Sequence, residues 1–474
     1  MNKLKLFLEN FFFYGLGGII SKIVPLIMVP IVTRLMPNSS YYGISDLANT
    51  LLSFGQALAV MGMYDAMYRM FFEKDDERFK KEICSTALIF TICTSVIVGV
   101  LMVAFQNVIS RYVFGGDSYN GLVHVTALAT MVGATNSIVS APTRMQNKRK
   151  IFLVMNTISP LLSYGIAIPL LLAGYYIMAL PMAALIAAFS CEAVFYVLNR
   201  EWFKFSDFKW KHLKPLLTIA IPLLPNFLIY WIFNSSDKLM ITNLLNTSAT
   251  GIYSVGAKLG HASQLIYTAF AGGWQYFAFS TMKEENQVES NSKIFEYLGI
   301  ISFVSTAFVF AWSQLIYKIL FAGEYVEGYI IAPYLFFAPL LQMLFQVACN
   351  QFLIIKKTWP NMFILSFGAI INIILNFALI PTAGIEGAAI STLLGYTVSD
   401  IIGVIILIRM KLMVVSQRFL ISCILMSGYI FIWRFVLMKS TVLGTVFAII
   451  LLCLYIFLYK EDLKKLMDSV KNKN

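Results

Sequence analysis

A succession of apolar runs, each about 20 residues long, is the feature that most constrains this chain of 474 residues. A helix of that length crosses a bilayer core about 30 Å thick, and within lipid a helix satisfies its own backbone hydrogen bonds. We therefore predict an all-α polytopic membrane protein with about fourteen transmembrane helices. The predicted spans are 11–35, 44–68, 83–106, 120–141, 151–172, 176–199, 215–234, 251–281, 294–317, 329–355, 361–380, 384–408, 418–436 and 441–459.

The distribution of charge indicates how the chain is threaded. Only 13% of the residues are charged, 59% are hydrophobic, and the mean hydropathy is +0.76. A net charge of +12 could suit nucleic acid, but the basic residues lie in short clusters between the apolar runs. If the N-terminus is cytoplasmic, 28 of the 36 Lys and Arg fall on cytoplasmic segments, as the positive-inside rule requires. We expect both termini in the cytoplasm and no nucleic-acid partner.

Several classes of function find no support in the sequence. By the predicted spans no loop exceeds about 16 residues, so whatever the protein does must happen within the membrane. The nucleotide-binding signature GxxxxGK[ST] is absent. The six cysteines lack CxxC or histidine spacing, so they indicate neither a disulfide framework nor a metal site. We expect no cofactor, no metal and no catalytic residue, hence a protein that is not an enzyme.

An internal repeat appears when the chain is aligned with itself at an offset near 208. Gly43 then aligns with Gly251, and Glu192 with Asp400. Six spans per repeat is an even number, so both copies enter the membrane from the same side and a pseudo-two-fold axis should run along the membrane normal. The predicted domains are an N-terminal six-helix bundle at 1–210, a C-terminal six-helix bundle at 211–412, and two extra helices with a basic cytoplasmic tail at 413–474.

Two lysines within predicted spans are candidate substrate contacts. Lys22 lies about 16 Å along the first span, near the middle of the bilayer, where an ammonium in lipid costs about 3 kcal/mol or more. We therefore expect Lys22 to face water, a cavity or an anion. Lys258 lies about 10 Å from the end of its span, where facing a cavity and snorkelling to the interface both remain open. His261 and Gln275 share its helical face.

Two carboxylates occupy the same repeat position. Glu192 and Asp400 lie about 12 Å inside the membrane, where a carboxylate must be protonated, paired or hydrated. Both are candidates for ion coupling. The alternative is a structural hydrogen bond from a neutral acid to a neighbouring helix.

Four segments carry a resemblance to a known family. The segments are VPIVTRLMPNSSYYGISDLANTLLSF, MGMYDAMYRMFFE, SSDKLMITNLLNTSATGIYSVGAKLG and PTAGIEGAAISTLLGYTVSD. In these segments the chain resembles the polysaccharide transporters of bacteria, which flip undecaprenyl-pyrophosphate-linked repeat units of O-antigen, capsule or related glycans across the cytoplasmic membrane. They belong to the multidrug/oligosaccharidyl-lipid/polysaccharide (MOP) superfamily, together with drug and sodium antiporters and the peptidoglycan-precursor flippase.

The resemblance implies an architecture and a mechanism. Such proteins have two six-helix bundles around a central cavity that opens alternately to either face, often with two extra C-terminal helices. Their cavity is typically cationic, with basic residues that match Lys22, Arg34 and Lys258 here. The implied partners are the lipid-linked oligosaccharide, membrane lipid, and the polymerase and glycosyltransferases of the same pathway. No clear sodium site is found, so the coupling ion stays open.

Two other functions compete with a flippase. A multidrug or metabolite ion-coupled antiporter of the same superfamily usually has twelve helices, and the two additional spans disfavour it. A membrane-embedded polysaccharide polymerase generally needs a large external loop or an acidic catalytic motif near the surface, and this chain has neither.

Overall fold

The computed structural model describes residues 3–267, 270, 274, 278, 284–355, 357 and 359–464, with the backbone alone for residues 3–18. Throughout this part of the chain the regular structure is helical. The α-helices are α1 (Lys3–Leu35), α2 (Ser39–Val60), α3 (Met63–Phe71), α4 (Glu77–Ala104), α5 (Gln106–Phe114), α6 (Asn120–Met145), α7 (Arg149–Leu172), α8 (Ala179–Asn199), α9 (Trp210–Ala220), α10 (Leu224–Leu244), α11 (Thr247–Gly260), α12 (Gln287–Leu320), α13 (Ala332–Ile354), α14 (Trp359–Arg409), α15 (Gln417–Ile432) and α16 (Thr441–Leu458).

The all-α polytopic fold predicted from hydropathy is confirmed. Ten helical stretches in the described residues are long and apolar enough to cross a membrane. One of them, α14, joins two predicted spans across Gly384, whose φ of 61° and ψ of −141° are not helical. Outside the ten, α1 and α2 contain 33 and 22 residues, and the predicted span 251–281 falls partly outside the described residues. The predicted count of fourteen is therefore approximately right.

The chain forms two compact units. Unit 1 contains Met1–Ser254 and Asn376–Ile385, and unit 2 contains Val255–Leu375 and Glu386–Asn474. By this packing α9, α10 and the first half of α11 belong with the N-terminal helices. The domain division after residue 210 follows the sequence repeat and stays a prediction.

Unit 1 contains a break where the sequence predicts one continuous span. α2 ends at Val60, and Met61 and Gly62 both adopt the left-handed conformation before α3 begins. A Cβ atom on Gly62 would lie 2.6 Å from the carbonyl oxygen of Ala220, so only glycine lets the start of α3 approach the end of α9 this closely. The predicted span 44–68 is therefore two helices.

In unit 2, buried polar contacts fasten α15 to the earlier helices. Near its beginning, Glu296 of α12 accepts hydrogen bonds from the backbone N and the Oγ of Ser416, at 2.7 and 2.8 Å. Arg418 lies 3.8 Å from the same carboxylate. Just after its end, Nε of Arg434 lies 2.5 Å from Glu386, a buried carboxylate at the beginning of the second half of α14. α15 is thus held at both ends.

Candidate functional site

The predicted cations of the first span lie on α1 in unit 1. Lys22 is exposed and is followed by the exposed Ile23. Arg34 is exposed in the last turn of the helix. Because α1 continues as helix through Pro25 and Pro30, Lys22 sits more than halfway along a 33-residue helix, 13 residues before its end. Its side chain is therefore presented on an apolar helix away from either end.

The other predicted substrate contacts lie in unit 2. Lys258 is exposed in the last turn of α11. His261 follows, half-buried, in a 3₁₀ turn that Ser263 ties to α13 by donating to the carbonyl of Phe336 at 2.7 Å. The structure thus keeps Lys258 and His261 on neighbouring turns. Gln275 lies outside the described residues.

The two repeat-related carboxylates differ in their surroundings. Glu192 of α8 is half-buried beside Thr135 of α6. On α14, the Oδ1 atom of Asp400 is buried and finds no hydrogen-bond donor among the described residues. The thiols of Cys349 and Cys423 lie near Asp400. Among the described residues, the Oδ1 of Asp400 thus lacks the hydrogen-bond partner that Thr135 provides to Glu192.

A buried ion pair that the sequence analysis missed joins α2 to α10. Nζ of Lys238 lies 2.6 Å from Asp46, and the two side chains are 14% and 3% exposed. Span seven was predicted to end at residue 234, but α10 continues to Leu244 and includes Lys238.

A second buried carboxylate lies next to this pair. Asp237 is 3% exposed and accepts hydrogen bonds from the Tyr253 hydroxyl at 2.6 Å and from the Asn376 amide at 2.7 Å. Two donors of this kind can hold a charged carboxylate in the interior of a membrane protein. In the sequence, these buried charges were indicated only by the dipeptide Asp237-Lys238 at the end of an apolar run.

α2 also crosses α11 at very close range within unit 1. A Cβ on Gly43 would lie 2.8 Å from the backbone nitrogen of Gly251, and a Cβ on Gly251 would overlap the carbonyl group of Ser39. One turn away, the hydroxyls of Ser39 and Ser248 hydrogen-bond to each other. Small residues at such crossings let helix backbones meet within a membrane. This crossing is called the α2–α11 contact below. The name also includes the neighbouring Asp46–Lys238 pair, whose lysine lies on α10.

Tryptophan and asparagine side chains fix α10 beside this contact. The indole Nε1 of Trp231 donates to the Oγ of Ser53 at 3.1 Å, and the Asn243 amide donates to the carbonyl of Tyr112 at 2.8 Å. A cavity of about 440 Å³ remains between α2, α4, α5 and α10, with Trp231 and Phe54 in its wall. Its lining is almost wholly apolar, so it suits hydrocarbon rather than a sugar.

Comparison with known proteins decides the family. A family model described as "Polysaccharide biosynthesis protein" matches residues 31–330, more than half of the chain. The chain belongs to this family. No curated protein sequence matches it significantly.

Solved structures show which fold this member of the polysaccharide biosynthesis family has. A structure titled "Lipid II flippase MurJ, inward closed conformation" aligns with 97% of this chain and 99% of its own, with a TM-score of 0.71 and 13% identity. An inward-facing multidrug resistance MATE family transporter of the MOP superfamily aligns with 83% of this chain and 98% of its own, at a TM-score of 0.62 and 14% identity. A MOP superfamily transporter from Pyrococcus furiosus aligns with 86% of this chain and 95% of its own, at a TM-score of 0.56 and 13% identity. The fold is that of the MOP transporters.

Proposed function

We propose that this protein flips undecaprenyl-pyrophosphate-linked oligosaccharide repeat units across the bacterial cytoplasmic membrane, for the synthesis of O-antigen, capsule or a related surface polysaccharide. Membership of the polysaccharide biosynthesis family and the MOP transporter fold support a membrane transporter of this kind. The observation that carries the proposal is Lys22, a cation exposed on an apolar helix well away from its ends. A lipid-facing role does not explain a charge at that depth.

The pyrophosphate is the part of the substrate that needs such a cation. An unpaired anion in a region of low dielectric costs far more than hydrogen bonds to sugars can return. We propose that Lys22 and Lys258 each contact the pyrophosphate during its passage, with Arg34, His261 and Gln275 as further substrate contacts. Lysine is a hydrated point charge and does not form the bidentate fork of arginine, so it can attract the anion and still release it.

The α2–α11 contact supports transport by alternating access. On the predicted topology it lies toward the outer face, since α2 begins there and α11 follows the α10–α11 turn. Two hydroxyls, a glycine crossing and one ion pair can separate and re-form without any covalent step. We propose that this contact closes the outer face in the structure and parts when the substrate is released.

A proton is the coupling ion that the carboxylates best support. We propose that Asp400, whose Oδ1 finds no hydrogen-bond donor in the described part of the chain, and Glu192 change protonation during the cycle. Glycosyltransferases that build the lipid-linked unit and a polymerase that consumes it are the proposed pathway partners. The protein itself would make and break no covalent bond.

A lysine replacement series tests the proposal. We expect Lys22→Ala to insert normally but to leave lipid-linked repeat units on the cytoplasmic leaflet, and Lys22→Arg to retain part of the activity. Lys439→Ala, at an exposed lysine in the turn between α15 and α16, is the matched control and should transport normally. Normal surface glycan in a strain carrying both Lys22→Ala and Lys258→Ala would refute the phosphate contacts. Drug efflux by the wild-type protein in the absence of any glycan defect on deletion would favour the antiporter.

A further inference from the structure

The segment 200–209 joins α8 to α9 and is called the connector here. Hydrogen bonds dock its backbone on the first turns of α4. The Oγ of Ser85 donates to the carbonyl of Trp202 at 3.2 Å and accepts from the backbone nitrogen of Lys204 at 3.1 Å. The Oγ1 of Thr86 accepts from the backbone nitrogen of Lys209 at 3.1 Å. The connector is thus held near both of its ends and is an ordered surface.

A buried carboxylate fixes the point where the connector enters α9. Glu82 of α4 is 6% exposed. Its Oε2 lies 2.8 Å from Nε2 of His212 and 3.2 Å from Nζ of Lys211. Behind the connector, Trp202 packs against Phe71 with ring centroids 5.2 Å apart. These contacts set which connector side chains point inward and which point outward.

Two aromatic side chains point outward in spite of this docking. Phe205 is 82% exposed and Trp210, the first residue of α9, is 75% exposed. Phe205 is the most exposed large apolar side chain in the described part of the chain. An ordered loop that keeps a phenylalanine and a tryptophan uncovered presents a surface for binding.

Lysines lie close in sequence to Phe205 and Trp210. Lys204, Lys211 and Lys214 are exposed and Lys209 is half-buried. The acidic residues of the segment are Glu201 and Asp207, so the surface from residue 200 to residue 214 keeps an excess of positive charge. Its partner must therefore be anionic.

The length of the connector identifies that partner. Candidate spans flank it on both sides, Ala179–Trp202 and Trp210–Leu244. Phe205 is only a few residues from either span, so the connector cannot project far from the membrane surface. Aromatic rings at the headgroup level and lysines at the phosphates are the usual arrangement of a membrane-surface contact.

We propose that the connector and the beginning of α9 together bind anionic phospholipid headgroups. Phe205 and Trp210 insert at the interface, and Lys204 and Lys214 contact the phosphates. The site is separate from the substrate contacts and does not depend on which lipid-linked molecule is transported. On the predicted topology it faces the cytoplasmic leaflet, whose anionic lipids attract basic segments near the surface. The docking on α4 means that headgroup binding acts on an already ordered segment.

The test uses the full chain in nanodiscs of neutral lipid with increasing fractions of phosphatidylglycerol. In a background without native cysteines, Phe205→Cys carries an environment-sensitive fluorophore. Tyr175→Cys is the matched control, because Tyr175 is also an exposed aromatic, at 61%, but lies beyond the opposite end of α8, in a stretch of sequence from 151 to 203 that contains no lysine. We expect the emission at position 205 to shift to the blue as phosphatidylglycerol increases, and the emission at position 175 to stay constant.

Charge removal makes the test specific. With Lys204→Gln and Lys214→Gln, the apparent affinity for phosphatidylglycerol should fall by about five-fold per lysine, while folding, followed by thermal melting, stays unchanged. An emission at position 205 that is the same at every lipid composition would overturn the proposal. So would a blue shift that appears only when cell lysate is added, since that would identify a protein partner.

Discussion

Gly43 and Gly251, which are equivalent positions of the internal repeat, lie against each other where α2 crosses α11. In a two-fold arrangement an element can meet its own equivalent only at the axis, where the contact is isologous. Ser39 hydrogen-bonds to Ser248, which is one residue beyond its equivalent position in the repeat. This second contact also joins nearly equivalent positions. The crossing therefore supports a local pseudo-two-fold axis that passes between these two glycines.

The first prediction concerns the space at this crossing. Gly251→Ala should destabilise the protein, because the new methyl group overlaps the Ser39 carbonyl. Gly165→Ala is the control, since a Cβ on Gly165 of α7 meets nothing within 4 Å. That change should be neutral or stabilise by up to about 1 kcal/mol. Thermal melting distinguishes the two variants, and equal melting temperatures would contradict the predicted clash.

A second prediction tests whether the α2–α11 contact parts during transport. In a cysteine-free background, Ser39→Cys with Ser248→Cys should form a disulfide under oxidation and stop transport. Reduction should restore it, and either single cysteine should have no such effect. A cross-linked protein that still transports at the normal rate would show that the contact is a static one.

The third prediction concerns the Asp46–Lys238 ion pair. Replacing one partner, as in Lys238→Met, takes the cation away from a buried carboxylate and should destabilise by about 3–5 kcal/mol. The double variant with Asp46→Asn should recover much of this loss. Thermal melting of the two single variants and the double variant gives the coupling free energy between the side chains. If the stability losses of the single variants simply add in the double variant, the two groups do not interact.

The fourth prediction separates the two repeat-related carboxylates. Asp400→Asn keeps the shape of the side chain but removes its ability to take up a proton, so transport driven by an imposed proton gradient should fall at least ten-fold. Glu192→Gln, beside Thr135, should have the smaller effect. Normal gradient-driven transport by both variants would leave the carboxylates a structural role only.

Hydropathy predicts the fold well because the bilayer restricts the chain to helices. It fails where polar residues find partners that are distant in sequence. Span seven was predicted to end at residue 234, before the polar run that contains Asp237 and Lys238, yet α10 continues to Leu244. Asp237 is satisfied by Tyr253 and Asn376, and Lys238 by Asp46.

The candidate site stays a prediction, and the sequence indicated only some of the buried charges. Lys22 and Asp400 were identified because a charge within an apolar run is expensive wherever it points. The Asp46–Lys238 pair was missed because its partners are far apart in the sequence, and neither lies in the middle of a predicted span. The crossing of Gly43 and Gly251 was visible only as an aligned pair, since a repeat shows equivalence but not contact.

The fastening of α15 at both ends has a consequence for truncation. Glu296 and Glu386 are buried, at 3% and 5% exposure. Their cationic neighbours are Arg418 on α15 and Arg434 directly after it. A chain cut after residue 412 would resemble a twelve-helix transporter in length, but it would keep both carboxylates without their arginines and in contact with lipid. The two C-terminal helices therefore cannot be removed by themselves. Shortening this protein to twelve helices would require replacing both glutamates as well.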